Sequence, residues 1–339
     1  MISKYSFEAG LNVYFSSKAL IPAEHIQSLK YTDKHQYHIY AILAYDKYYF
    51  RKDKTCVTKD GISTTVFTVT SDGEKEYNLP LLPIADDIDY DKVKIDFVYP
   101  YEYINIGIND INFLNNNPKF CKKLTISAND LFNKAAQYYE IKPEFEVLYI
   151  GQSYGKSGSR TAVDRLLSHS TFQNILMEVN RNYQSKSIYI LLLEIASNLN
   201  MLFIGANSDL KCSDDESNTH MKSVLSDLPK EKQVINITEA ALIYYFKPVY
   251  NERLINNFPN RNSIGYRQYF NLDYNALSIE MDLEFDDFPT IQLFTRTARA
   301  DSSIQFIKFN LHNEADRMNM YDIFSDGYNT QGEDIIWMY

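Results

Sequence analysis

The spacing of apolar residues changes period twice along the chain, near Ser127 and again after Pro259, and these two switches limit the fold more than any single motif. The first 125 residues are strand-like. Tyr37 to Phe50 is dense in aromatic and branched side chains, and Thr64 to Thr70 and Glu76 to Leu82 flank Ser71-Asp72-Gly73-Glu74, a hairpin turn. Lys92 to Tyr99 adds a strand before the Asn- and Pro-rich loop Asn112 to Pro118. From Ser127 the spacing is helical: Ser127 or Asn129 caps a helix carrying Leu131, Phe132, Ala135 and Tyr139, and Lys142-Pro143 ends it. A buried strand from Phe145 to Ile150 follows, then a glycine-rich loop from Gly151 to Ser159 and a helix from Thr161 to about Tyr183. The strand Ser187 to Ile195, the polar loop Asn207 to Thr219 and an apolar helix from Val234 to Phe246 complete this part. Past Pro259 a period of two returns. Leu277, Ile279, Met281, Leu283 and Phe285 alternate with Ser278, Glu280, Asp282 and Glu284, which predicts a half-buried strand with an acidic outer face; Ile304 to Phe309 is another strand. The expected class is α+β in three parts: a β-rich module over 1–125, a mixed domain over 126–258 and an acidic, β-rich module over 259–339.

Composition excludes several classes. With 45% hydrophobic and 23% charged residues, the chain of 339 is globular, neither disordered nor fibrous. The longest strongly apolar run, Ile188 to Leu193, stops at Glu194, far short of a bilayer span. The segment Met1-Ile2-Ser3-Lys4-Tyr5-Ser6 has no apolar stretch of signal-peptide length, and Cys56, Cys121 and Cys212 lie far apart, so a soluble, cytoplasmic protein is expected. The formal net charge of −10 counts against nucleic acid only until its distribution is read. The last 78 residues hold 5 basic and 13 acidic side chains, a net of −8, and the remainder is close to neutral. The acidic strand face reads first as solvated sheet surface, with a surface for docking a protein partner or for self-masking as the alternative. His25, His35 and His38 have no carboxylate or cysteine at ligand spacing and read as strand and loop histidines.

The chemistry-bearing residues lie between Tyr149 and Asn251. Tyr149-Ile150-Gly151-Gln152-Ser153 ends a strand, and Arg165 and His169 follow four residues apart, which places them on one face of the next helix. Glu239-Ala240-Ala241-Leu242-Ile243 lies on a later helix, with Pro248-Val249-Tyr250-Asn251 after it. In order and residue type this set, roughly residues 126 to 258, resembles the GIY-YIG nuclease superfamily. That family has a Tyr-Ile-Gly strand, an Arg and a His one turn apart, a Glu at the head of Leu-Ile on a later helix, and Pro-x-x-Asn beyond it. The resemblance implies a small mixed or antiparallel sheet flanked by helices. It also implies a metal-dependent endonuclease acting on DNA, with RNA left open, in restriction, defence or repair. Cutting both strands would favour a homodimer.

Phosphodiester hydrolysis needs an activated water, neutralised phosphoryl oxygens and help for the departing alkoxide. By resemblance the functional positions are Tyr149, Arg165, His169, Glu239 and Asn251. A phenol beside cations can ionise or hand on a proton, which makes Tyr149 the expected general base. Arg165 offers a planar donor fork for phosphate, and His169 orients the water or assists a proton transfer. Glu239, a carboxylate in an apolar stretch, is the expected ligand of one Mg²⁺, with Mn²⁺ as the alternative. Asn251 holds the catalytic loop or sits near the phosphate. The partner motif, Gly-Ile-Tyr on the adjoining strand, has no literal match; Tyr138 or Tyr139 by spacing, or Tyr99 beyond a helical insertion, are the tyrosines available for it. The clusters Arg51-Lys52-Asp53-Lys54 and Lys119, Lys122, Lys123 are the expected phosphate-gripping surface.

Two rivals stand against this reading. Gly151-Gln152-Ser153-Tyr154-Gly155-Lys156-Ser157 resembles a nucleotide-binding P-loop, but three residues separate its glycines where four are needed. The other is a catalytically degenerate chain that keeps the fold and binds nucleic acid or a protein.

Overall fold

The computed structural model describes residues 2–28, 35–58, 60–70, 72–82, 88–119, 122–139, 141–153, 162–204, 210–286, 288 and 290–322. The chain begins with strands β1 (Phe7–Pro22), β2 (Ile39–Asp46), β3 (Tyr49–Phe50), β4 (Cys56–Thr58), β5 (Gly61–Thr70), β6 (Gly73–Leu82), β7 (Val93–Val98) and β8 (Tyr103–Ile108). Helix α1 (Ile111–Asn116), β9 (Lys123–Ser127), α2 (Ala128–Tyr139), β10 (Glu144–Gln152), α3 (Ala162–Leu167), α4 (Ser170–Asn182) and β11 (Lys186–Phe203) follow. The chain continues with α5 (Asp214–Ser226), α6 (Glu231–Phe246), α7 (Gln268–Asn271), β12 (Ala276–Asp282), β13 (Gln292–Phe294), β14 (Arg299–Ala300) and β15 (Ile304–Asn310). No helix among the described residues is long and apolar enough to cross a membrane.

The class is α+β, as expected, but the main sheet is not small. It has eight strands in the order β14-β13-β10-β2-β11-β1-β12-β15, with β1–β12 and β10–β13 parallel and the other pairs antiparallel. The sheet curls until its two edge strands adjoin in sequence, β14 ending at Ala300 and β15 starting at Ile304, so it is nearly closed and barrel-like. Strands from all three expected parts share it, so the boundaries at 125 and 258 do not partition the sheet. Arg317, fully buried, seals this arrangement by pairing with Glu8 of β1 at 2.5 Å and with Asp273 at 2.8 Å. Removing one partner of such a buried pair typically costs about 3–5 kcal/mol.

Residues 47–143, between β2 and β10, form an insertion with two sheets of its own, one of β3–β6 and one of β7–β9. The hairpin expected around Asp72-Gly73 is the β5–β6 pair, with Thr70 opposite Gly73. Helix α2 is capped by Ser127, whose Oγ accepts from the Asp130 N–H at 2.9 Å. Asn129 is spent elsewhere: it bonds the Tyr48 N–H and the Asp46 C=O, and with Asn133, which accepts from the Tyr45 hydroxyl at 2.7 Å, it fastens the insertion to the end of β2.

Alternation along β2 sorts the two faces of the main sheet. Ile39, Ala41, Leu43 and Tyr45 join the core that surrounds α6, whereas Tyr40, Ile42 and Ala44 pack with Val163, Leu166, Phe172, Ile175 and Val179 of α3 and α4. The helix expected from Thr161 to Tyr183 is two helices, interrupted at Ser168-His169. The run Tyr37 to Phe50 is likewise broken after Asp46. β12 is more buried than its alternation predicts, because it lies between β1 and β15: Ser278 is buried and only Asp282 is exposed.

Candidate active site

Strand β10 carries the expected Tyr149-Ile150-Gly151 and pairs antiparallel with β2, setting Tyr149 opposite Ile42 and Gly151 opposite Tyr40. A bulge between Val147 and Tyr149 puts Leu148 and Tyr149 consecutively on the α3–α4 face, the use of an extra residue to re-aim a side chain. Tyr149 therefore stands beside Tyr40, their ring centroids 6.1 Å apart. Gly151 is what permits this approach: a Cβ there would meet the Tyr40 hydroxyl at 2.6 Å and Tyr149 Cε1 at 2.9 Å. Tyr40 is the residue that sequence reasoning missed. Tyr99 lies 83% exposed beyond the end of β7, and Tyr138 and Tyr139 lie on α2, none of them on a strand adjoining β10. The available signal was the Ile39-Tyr40 pair in an aromatic strand, hidden by the insertion that separates it from Tyr149.

Arg165 and His169 do not share a helix. Arg165 lies in the last turn of α3, and His169 is the N-cap residue of α4, in an extended conformation. Hydrogen bonds from Ser168 N–H to Arg165 C=O and from His169 N–H to Leu166 C=O keep the turn tight, so the His169 ring still lies 5.7 Å from that of Tyr149. Arg165, half-buried, makes no ion pair among the described residues.

Glu239 comes from the other face. Gln152, next in β10 after Gly151, points toward α6, and its Nε2 donates to Glu239 Oε2 at 2.7 Å and to Asn236 Oδ1 at 3.0 Å. Burial raises the Glu239 carboxyl to about 7 against the opposing pull of Arg165 and Gln152. α3 and α6 thus lie on opposite faces of the sheet, with Arg165 near enough to pull the Glu239 carboxyl downward. Burial raises the Tyr40 hydroxyl most, with further contributions from Tyr149 and Glu239, while Arg165 lowers it. Tyr149 is also raised, first by burial and then by Glu239, against Arg165 and Tyr40. Of the two roles expected of a phenol here, burial disfavours ionisation, because desolvation outweighs the single cation, and leaves the handing on of a proton. The Tyr40 hydroxyl is buried with no hydrogen-bond partner among the described residues.

Asn251 is buried against the backbone of Ile150, to which it makes two hydrogen bonds, and the Tyr250 N–H donates to Leu148 C=O at 3.1 Å. β13 pairs only with Glu144 to Glu146, so Pro248–Asn251 covers the part of β10 that lacks a strand there. Asn251 is therefore a positioning residue. The stretch from Tyr154 to Thr161, which includes most of the P-loop-like sequence, lies outside the described residues.

His38 is structural: its Nδ1 accepts from the Ile195 N–H at 3.0 Å, leaving Nε2 toward Glu231 at 3.5 Å. Arg51 and Lys54, expected to grip phosphates, are paired with Glu74 and Glu76. No cluster of three or more metal-ligating side chains occurs among the described residues. Comparison with protein-family models, curated proteins and solved structures finds no match for the chain.

Proposed function

We propose that the chain is a metal-dependent endonuclease of the GIY-YIG kind, hydrolysing phosphodiester bonds in DNA. The observation that carries the reading is that Tyr40, Tyr149 and His169 gather over Gly151 while Gln152, the next residue of β10, holds Glu239 at 2.7 Å, with Arg165 near enough to pull on all three acidic groups. On this reading His38-Ile39-Tyr40 takes the place of the Gly-Ile-Tyr strand, and residues 47–143 account for the lost spacing.

Arg165, free of any carboxylate within ion-pair distance among the described residues, presents its donors to the phosphoryl oxygens. Glu239 suits one divalent cation. It is a carboxylate with no ion pair among the described residues, its proton is held only to about pH 7, and Mg²⁺ is commonly bound by one or two carboxylates with water and substrate phosphate completing the shell. Bound there, the ion would supply Lewis-acid stabilisation of the leaving oxygen. Both phenols are protonated at rest, so Tyr40 acts as a positioned hydroxyl that gives its proton to the Tyr149 oxygen as it accepts one from the attacking water, while Tyr149 gives its own to the His169 imidazole, the terminal base. Tyr149, with His169 beside its ring, is the neighbour on that path.

Purified protein with supercoiled plasmid, with and without Mg²⁺, tests the reading beside Glu239→Ala, Arg165→Ala and Tyr40→Phe. Mg²⁺-dependent cutting by the wild type and its loss in all three variants is expected. A wild-type chain that binds DNA without cutting it would leave the non-catalytic reading standing.

A further inference from the structure

Just past the candidate site the chain reverses its charge. Residues 253–267, at the border of the strongly acidic C-terminal part, hold Arg253, Arg261 and Arg267 and no acidic residue. All three arginines are exposed, and none makes an ion pair among the described residues. Between the last two, Ile264 is 78% exposed, surrounded in sequence by Asn260, Asn262 and Ser263.

This loop is tied to the site by one amide. Asn236 Nδ2 donates to the Gly265 C=O at 2.9 Å, while its Oδ1 accepts from Gln152, the residue that also bonds Glu239. A Cβ on Gly265 would come within 3.2 Å of Asn236, so the loop rests directly on α6. The Gln268 N–H adds a second anchor to Gln233 at 3.2 Å. Lys232, Asn236 and Glu239 are spaced four and three residues apart, so one face of α6 carries an exposed cation, the anchor and the site carboxylate in a row.

Exposed arginines with no carboxylate to satisfy them match a phosphate backbone. An exposed branched side chain between them matches the apolar wedges that enter the minor groove between base steps. We propose that residues 253–267 grip duplex DNA, with Arg261 and Arg267 on phosphates and Ile264 as a wedge in the minor groove. The proposal rests on the nuclease reading for the identity of the partner. It moves the main DNA contact away from Arg51 and Lys54, whose charges are already paired.

The test is binding of a short DNA duplex, followed by fluorescence anisotropy in EDTA across a salt series, where no hydrolysis interferes. Replacing both Arg261 and Arg267 by Ala should lower the salt slope by about two, since each phosphate contact contributes about 0.9. The loss of affinity between 50 and 200 mM salt would then shrink roughly tenfold. Both arginines changed to Lys should keep the slope. Ile264→Ala should abolish the fluorescence rise of a 2-aminopurine placed at the unstacked step. Thermal melts confirm that these surface variants are folded. A wild-type slope in the Arg261/Arg267 variant, or a slope lost instead in Lys122→Ala/Lys123→Ala, overturns the loop proposal. Plasmid cutting reports separately on the nuclease reading: a cutting enzyme with an unchanged slope loses only the loop, and an inert chain with a loop-dependent slope loses only the catalysis.

Discussion

Asn251 substitutes for a neighbouring strand at Ile150: its Oδ1 accepts from the Ile150 N–H and its Nδ2 donates to the Ile150 C=O, each at 2.9 Å. The residue between Tyr149 and Gly151 is thereby fixed from a segment about a hundred positions later.

Asn251→Ala should lower stability by about 2 kcal/mol, because it strips two backbone groups of their partners. Asn251→Asp should be worse than a simple deletion of one bond, since a carboxylate cannot donate to the Ile150 carbonyl. Urea titration gives the stability change. Cleavage should fall with both, and a variant as stable as wild type would remove Asn251 from the positioning role.

Tyr40→Phe should separate stability from activity. It removes a buried hydroxyl that has no hydrogen-bond partner among the described residues, so the folded state should be unchanged or slightly more stable. Cleavage should fall by about 10²–10⁴-fold if that hydroxyl positions and relays the proton. Single-turnover rates beside denaturation midpoints decide it; a fully active Tyr40→Phe chain excludes the relay.

Glu239 makes stability depend on pH in a defined direction. Its folded pKa of about 7 lies above the ordinary 4.5, so the folded state keeps a proton that the unfolded chain has already released between these values. The contribution is full below pH 4.5 and is lost as pH rises through 7. Glu239→Gln should therefore gain stability relative to wild type at pH 8 and not at pH 4.5. Mg²⁺ should raise the melting temperature of the wild type at pH 8 and leave the Gln variant unmoved. Equal responses in the two proteins would argue against Glu239 as the ion's ligand.

A fragment of residues 126–258 should not fold alone, although the sequence marks it as a unit. β2 lies between β10 and β11 in the sheet, and β1 covers the other edge of β11, so the fragment would expose both of its long strands. Aggregation or a flat thermal melt is expected, and a cooperative transition in the fragment would contradict this.

The sequence marked most strands and the polar ends of the site, and the reasons for its misses are physical. Gly151 and Glu239 were legible because each breaks a local rule, a glycine in a buried strand and a carboxylate in an apolar helix, and Tyr149 only by standing two places before that glycine. Tyr40 was not, because nothing local distinguishes one buried strand tyrosine from the other 27. The break at Ser168-His169 was hidden because the apolar positions of α3 and α4 continue one helical pattern across it. The three-part division failed because the pattern of apolar residues reports period and burial, whereas strand neighbours in this sheet come from distant stretches.

The insertion leaves β2 at Asp46 and rejoins at Glu144, and Tyr45 sits directly across from Phe145. Its two ends are thus one strand spacing apart, a gap that a two-residue Asn-Gly turn could close. The length of that excursion therefore need not disturb the register that sets Tyr40 against Gly151, yet its Tyr48, Phe132 and Ala135 share one core with Tyr45 and Phe145, so the hairpin is walled on that side by the module it carries.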